Sequence, residues 1–311
     1  MPPEQGVPGE PEPVQSILLE RLGVVVVHYH QEQTLLRLLE NLRSVQGVAP
    51  GNVVVVDNGS NPELMRDIRR DRNDVMWVDL PNPGYGAAMN AGVAALPVQL
   101  DVVALLTHEV TMQPRCLAIL LGTLLGSEST GLVGPLLMDS SRVGIVWSTG
   151  GRTSSVRRLP ENINRGVVSR PVGRPRVVDW VDGSVCLMRR ADLAAIGGLA
   201  AHYFLYFEDV DLGWRVRTHL GKQVICDTRA SAAQAPGGHM DQFLTTRNFM
   251  WMLSDHRMVA ARLLFIGETV VRLVLGPVLR PAGGLVRVRR RFAGLAAGLR
   301  RPNTSIYQRL M

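Results

Sequence analysis

The 311-residue sequence predicts an α/β fold: a mainly parallel sheet with helices on both faces, followed by a C-terminal helical appendage. Three observations carry that expectation. Four short β-branched runs each precede a segment with helical apolar spacing, and each run closes on a polar cluster. The composition, 46% hydrophobic with 20% charged residues, supplies a full core.

Leu22 to His28 (LGVVVVH) has the length of a buried strand, and Gln31 to Val45 follows with Leu35, Leu38, Leu39 and Leu42 on one helical face. Asn52 to Val56 is a second strand, closed by Asp57-Asn58-Gly59-Ser60, after which Pro62 starts a helix to Arg70. Val75 to Leu80 is a third, ended by Pro81-Asn82-Pro83-Gly84 before a small-residue helix from Tyr85 to Leu96. Val102 to Leu106 is a fourth, followed by Thr107-His108-Glu109-Val110 and a helix from Pro114 to Leu125. Ligands of parallel sheets sit beyond the carboxyl ends of the strands, where the clusters at 28–30, 57–60, 82–86 and 107–109 all fall. Farther on, Arg152 to Arg176 reads as a long loop or flap and Val177 to Arg189 as a strand. The run Phe204-Leu205-Tyr206-Phe207-Glu208-Asp209-Val210-Asp211 leads into a helix over Leu212 to Leu220, and Gln223 to Cys226 is a late strand.

Three cysteines without a C-x-x-C pair exclude a disulfide scaffold, argue against structural zinc and suit a reducing, cytoplasmic setting. Met1 to Ser16, rich in Pro, Glu and Gly, reads as a disordered tail and not as a signal peptide. The net charge of +7 is uneven: residues 255–311 hold eleven arginines against Asp255 and Glu268, so the first 254 residues are slightly acidic. That distribution is unlike a protein that grips nucleic acid across its fold. The apolar run Leu263 to Leu279 is broken by Glu268, Arg272 and Gly276-Pro277, and Arg287 to Arg291 follow. Two readings stand: a helical appendage packed on the body, or an interfacial amphipathic helix with arginines on anionic head groups at a membrane. The expected division is a tail over 1–16, a catalytic body over 17–254 in two halves (17–135 and 136–254), and a basic helical tail over 255–311.

Asp57 ends an apolar strand, as a turn residue or as a carboxylate that accepts the N–H of a pyrimidine base. Within Asn82 to Gly92, Met89 stands where a G-x-G-x-x-G dinucleotide fingerprint needs glycine, which disfavours a dehydrogenase. Glu208, Asp209 and Asp211 place three carboxylates in four residues behind Tyr203, Phe204, Tyr206 and Phe207. Acids at a helix start serve as caps; acids crowded together and desolvated have raised pKa values, which suits a general base.

Taken together these segments resemble glycosyltransferase family 2, the inverting enzymes of GT-A fold, and within it the bacterial rhamnosyltransferase-like branch. The resemblance rests on His28-Tyr29-His30, Asp57 to Ser60, Asn82 to Gly92, Gly183-Ser184 with Arg189-Arg190, and Gly197-Gly198 through Phe204, Tyr206, Glu208, Asp209 and Asp211. It implies transfer of a sugar from a nucleotide-diphosphate donor, a dTDP- or UDP-sugar, to a hydroxyl of a polysaccharide or lipid-linked acceptor. By that resemblance Asp209 is the catalytic base. Glu208, Asp211, Trp180 and Asp182 orient it or bind acceptor. Tyr29, Asp57, Asn82, Gly84, Tyr85, Asn90 and Arg247 line the nucleotide-sugar site. Where the family carries an acidic metal motif this chain has Thr107-His108-Glu109, so Glu109, with His108 and His239, is the expected ligand set for Mg²⁺ or Mn²⁺. The other functions weighed are a soluble enzyme tailoring a small metabolite and a catalytically weakened nucleotide-sugar-binding scaffold.

Overall fold

The computed structural model describes residues 19–168, 173–235, 240–279 and 284–300; the expected N-terminal tail and His239 lie outside them. Strand β1 (Leu22–His28) lies between β2 (Val53–Asp57) and β4 (Val102–Thr107), and β3 (Met76–Asp79) pairs with β2, all in parallel. The helices between them are α1 (Glu32–Glu40), α2 (Pro62–Asp71) and α3 (Tyr85–Ala95), with α4 (Cys116–Leu125) after β4 and the short β5 (Val110–Met112). Period-two alternation divides β1 between two cores. Leu22, Val24 and Val26 join α1, α2 and α4 on one face, while Val25 and Val27 meet Ala88 and Met89 of α3 on the other. The expected helix through Val45 ends in a π-turn over Asn41–Val45, where the buried Asn41 amide exchanges hydrogen bonds with the backbone of Met112.

The second half departs from a parallel pattern. β6 (Thr130–Asp139), absent from the sequence-based expectation, pairs in parallel with β12 (Gln223–Gln234), which is far longer than the strand expected there. Pro135 disguises β6, because proline cannot donate to a ladder. At that point β12 makes a bulge, its register jumping from Asp227 to Ser231 as β6 advances from Pro135 to Leu136. The single strand expected over 177–189 is two: β10 (Pro175–Val178) on the edge against β12, and β11 (Val185–Arg189), antiparallel to both β6 and β4. The six residues between them cross the end of the sheet and bring Trp180, Asp182 and Gly183 to it. Among the described residues the order is β10-β12-β6-β11-β4-β1-β2-β3, with β5 on β12 and β7 (Val146–Ser148) on β6. The expected flap contains a hairpin, β8 (Gly151–Thr153) with β9 (Pro160–Asn162).

Helices α5 (Arg190–Ala195) and α6 (Glu208–His219) precede β12, and α7 (Gln242–Asp255), α8 (Val259–Leu279) and α9 (Gly284–Gly298) follow it. A third apolar cluster joins Tyr203, Val210, Phe249, Met252, Leu253 and Ala261, so α7 and α8 are packed behind the acidic helix α6. No helix of the described residues is long and apolar enough to cross a membrane.

The packing of α3 on the sheet is set by Gly92, where an added Cβ would lie 2.3 Å from a Val25 methyl and 2.8 Å from one of Val56. Both neighbours are β-branched and stiff. Gly92→Ala is expected to destabilise the protein by about 1–3 kcal/mol in urea unfolding, despite alanine's better helix propensity.

Candidate active site

Three loops meet at the carboxyl ends of β1, β2 and β3. Asn58 donates from its backbone to His28 O (2.8 Å) and from its amide to Asn82 Oδ1 (3.0 Å), and Ser60 Oγ accepts the His30 N–H (2.9 Å). Asp57 is buried and fills the turn role expected of it. Oδ1 accepts the Ser60 N–H (3.0 Å) and Oδ2 accepts from Arg69 Nη2 (2.8 Å). Arg69 is shared with Asp79 and lies 5.3 Å from the Trp77 ring centre; sequence reading passed over it because a helical arginine resembles any solvated one. Tyr29 stands open at this edge, 45% exposed and edge-on to His30. Its neighbour His28 is turned into the core against His108, and burial together with that second imidazole pushes His28 down to about 4.

Gly84 explains how the loop before α3 reaches the acidic helix. Its φ is 104°, and a Cβ there would lie 2.5 Å from Phe204 O. The close approach lets the Tyr85 N–H donate to Phe204 O (2.7 Å), while the Tyr85 hydroxyl donates to Gly183 O (2.6 Å). Gly183 in turn donates its N–H to Asp209 Oδ2 (3.1 Å). Tyr85, Gly183 and Asp209 thus form one hydrogen-bonded series from the start of α3 to the candidate base.

The three acids of α6 sit in three environments. Burial pushes Asp209 up to about 7, with Asp182 adding to it and the Gly183 and Val210 N–H groups opposing. Burial takes Glu208 to about 8, its Oε1 without a hydrogen-bond partner and Asp209 and Asp211 adding repulsion. For Asp211 burial acts the same way, but a hydrogen bond from His256 Nε2 (2.8 Å) and the Arg215 guanidinium (2.7 Å) hold it below the usual carboxylate range. Arg215 also donates to Ile196 O and Gly198 O. Asp211, expected at the acceptor or beside the base, is therefore a tie between α6, α7 and the 196–198 turn.

Other expected residues are likewise drawn into the scaffold. The Asn90 amide exchanges hydrogen bonds with both backbone groups of Leu199 (2.9 and 2.8 Å), which fixes the Gly197-Gly198 turn. Trp180 is a core residue, seated where a Cβ on Gly151 would overlap its indole. Arg247 donates to Tyr203 O (2.7 Å) and lies 4.3 Å from the Trp251 ring centre. Asp182 accepts from Trp147 Nε1 (3.0 Å) and the Ser184 N–H (3.0 Å), with Arg165 stacked 4.2 Å from the Trp147 ring.

Of the expected metal ligands, His108 and Glu109 lie among the described residues and His239 does not. His108 is buried, its Nδ1 3.2 Å from Val27 O, and Glu109 accepts from Gln31 Nε2 (3.2 Å). Among the described residues no three His, Cys, Asp or Glu side chains are grouped to hold an ion. Glu109 is the one expected carboxylate ligand, the kind of single-carboxylate site that a Mg²⁺-type ion completes with substrate phosphates and water.

Asn248 is the site residue that sequence reading missed. Phe204, Tyr206 and Phe207 have φ of 70°, 76° and 79°, a left-handed backbone that costs non-glycine residues about 1–3 kcal/mol each. The fully buried Asn248 amide donates to Tyr203 O (3.0 Å), Leu205 O (2.7 Å) and Tyr206 O (3.0 Å) and so holds that turn. The available signal was an asparagine within a helix, directly before the apolar stretch Phe249 to Leu253, where asparagine is a poor helix former. Asn248→Ala is expected to destabilise by about 2–3 kcal/mol and to lower turnover more than donor affinity. Asn248→Asp, the same shape with a carboxylate facing three carbonyls, should be worse in thermal melts. Glu208 gives a pH prediction. Its folded pKa lies above its unfolded value, so the folded state binds the extra proton and stability falls as pH rises from about 4.5 to 8. Glu208→Gln should flatten that fall, raising Tm relative to the parent at pH 8.5 and changing it little at pH 5.

Similarity to known proteins follows this geometry. The family description "Glycosyltransferase like family 2" matches residues 20–253. An N-acetylglucosaminyl-diphospho-decaprenol L-rhamnosyltransferase of Mycobacterium tuberculosis is 30% identical over 225 residues, covering 63% of this chain and 70% of the relative. A low-salt glycan biosynthesis hexosyltransferase of Haloferax volcanii is 26% identical over 211 residues, covering 66% and 64%. Among solved structures, a Pyrobaculum calidifontis mannosyltransferase in complex with GDP-Man and Mn²⁺ aligns with a TM-score of 0.54 at 14% identity, over 93% of this chain and 79% of that one. GalNAc-T7 with UDP, GalNAc and Mn²⁺ aligns with a TM-score of 0.57, also at 14% identity, over 75% of this chain; this chain spans about half, 47%, of its length. The ordered motifs, the sheet topology and these similarities agree: the chain belongs to glycosyltransferase family 2 and is a glycosyltransferase of GT-A fold.

Proposed function

We propose that this enzyme moves a hexose, rhamnose or a related sugar, from a UDP- or dTDP-sugar to a hydroxyl of a lipid-linked or polysaccharide acceptor, with inversion at the anomeric carbon. One observation carries the reading: Asp209 has a pKa near 7 and is held by the Gly183 N–H, whose own carbonyl is anchored by Tyr85 of the donor-side loop. A carboxylate raised toward neutrality is better matched to taking a hydroxyl proton than an ordinary one. In an inverting transfer, Asp209 removes the proton from the acceptor hydroxyl as its oxygen attacks the anomeric carbon, and the nucleoside diphosphate leaves from the opposite side.

Asp57 accepts the pyrimidine N–H, and Arg69 keeps its carboxylate turned to that task. Asn82, Gly84 and Tyr85 bring the backbone at the start of α3 close to the diphosphate, where helix N–H groups favour negative charge. Asp182 sits on the acceptor side with Trp147 and raises the basicity of Asp209. Two structural neighbours were solved with Mn²⁺, and Glu109 is the carboxylate of this chain that would hold such a cation beside a donor diphosphate. The three cysteines are buried and unpaired, which supports a cytoplasmic enzyme, and a lipid-linked acceptor would bring it to the inner membrane surface as a peripheral protein.

Asp209→Asn tests the proposal. Single-turnover rates should fall by roughly 10²–10⁴-fold while donor affinity by calorimetry stays within about threefold. The rising limb of the pH–rate profile near 7 should disappear. A variant that keeps both its rate and that limb would place the base elsewhere.

A further inference from the structure

Helix α8 is amphipathic with its apolar side outward. Val259, Leu263, Leu264, Val270 and Val271 are exposed, the first two at 64% and 65%, and with Gly267 their spacing places them on one continuous helical face. The opposite side packs on the body: Ala261 and Thr269 are buried, Phe265 meets Phe249 edge-on at 4.7 Å, and Glu268 is ion-paired with Arg157 (2.8 Å). A helix whose carboxylate points inward and whose valines and leucines point to solvent is built for an apolar partner.

Charge identifies the partner. The chain from residue 255 carries eleven arginines and two acids, and both acids are engaged by the body, Glu268 by Arg157 and Asp255 by His202 and Tyr203. Arg290 and Arg291 are also turned to the body, on Asp241 and Gln242, whereas Arg257 and Arg289 are exposed. A strongly basic segment with an outward apolar stripe repels a second copy of itself and complements an anionic lipid surface.

The position of α8 fits that partner. Arg157 and Leu159, which meet α8, belong to the loop of the β8–β9 hairpin, and Gly151 of that hairpin is hydrogen-bonded to Trp180, two residues from Asp182. We propose that the outer face of α8 is an interfacial membrane-binding surface that inserts its valines and leucines among anionic head groups and faces the acceptor side of the cleft toward the bilayer. The proposal rests on the lipid-linked acceptor named above for its purpose, but not for its test.

Sedimentation with vesicles of phosphatidylglycerol and phosphatidylcholine tests it, with donor hydrolysis measured in parallel. The full chain should co-sediment with anionic vesicles and much less with phosphatidylcholine alone. Leu263→Asp combined with Val270→Asp should weaken binding at least about tenfold, and Arg257→Glu with Arg289→Glu should weaken it and reduce its salt dependence. All four positions are exposed, and unchanged donor hydrolysis and thermal melts report that the variants are folded; Leu263→Gln provides a milder replacement. Lack of binding by the parent protein, or equal binding by the Leu263→Asp/Val270→Asp variant, would overturn the proposal. So would a concentration-dependent dimer that this variant abolishes, since the face would then belong to a second copy. Loss of donor hydrolysis in Asp209→Asn bears on the catalytic reading alone and leaves vesicle binding unchanged.

Discussion

Three left-handed residues in the turn from Phe204 to Phe207 have to be held against their own backbone preference, and the amide of Asn248 holds them. Much of the site depends on that restraint. The turn presents Phe204 O to the Tyr85 N–H, which docks the loop before α3, and delivers the chain into α6 with its acids in the first turn. A relaxed turn would shift both sides of the cleft together. Gly84 is the complementary concession, since only a residue without a Cβ lets the two backbones touch.

The acidic triplet shows how environment separates chemically similar groups. Glu208, Asp209 and Asp211 share a helical turn and a helix dipole, which alone lowers carboxylate pKa values. Desolvation outweighs the dipole at Glu208 and Asp209. At Asp211 the partners His256 and Arg215 outweigh desolvation. The result is two carboxyl groups raised by desolvation and one held low by its partners, all within four residues.

The C-terminal helices join this site to the surface of the molecule. Gly294 and Gly298 let α9 approach α7 so closely that a Cβ would lie 2.5 Å from Phe243 O or from Met250 Cβ. Helix α7 carries Asn248, and α8 shares an apolar cluster with Tyr203 and Val210. The segment read from sequence as a basic appendage is thus the support behind the catalytic turn, with its spare apolar face turned outward.

Much of this molecule was legible along the chain. Strands β1 to β4 and the helices between them are local patterns, β-branched runs and helical apolar spacing punctuated by Pro, Gly and Asn, so the parallel half of the sheet and the polar clusters at its edge followed from the sequence. The order of motifs also carried the family. What tertiary structure alone decided was pairing and partnership. Pro135 hid β6 because its strand survives through a bulge in a neighbour almost a hundred residues away, and 177–189 split in two because its ends pair with different strands. Asp211, Asn90, Trp180 and His108 carry the residue types a site needs, yet their side chains are taken up by His256, by Leu199, by Gly151 and by the core around Val27. Asn248 was invisible for the same reason, and between the two readings of the α8 segment the sequence alone could not choose. A sequence displays which groups a residue has to offer, whereas burial and hydrogen bonding by residues distant along the chain determine which remain available.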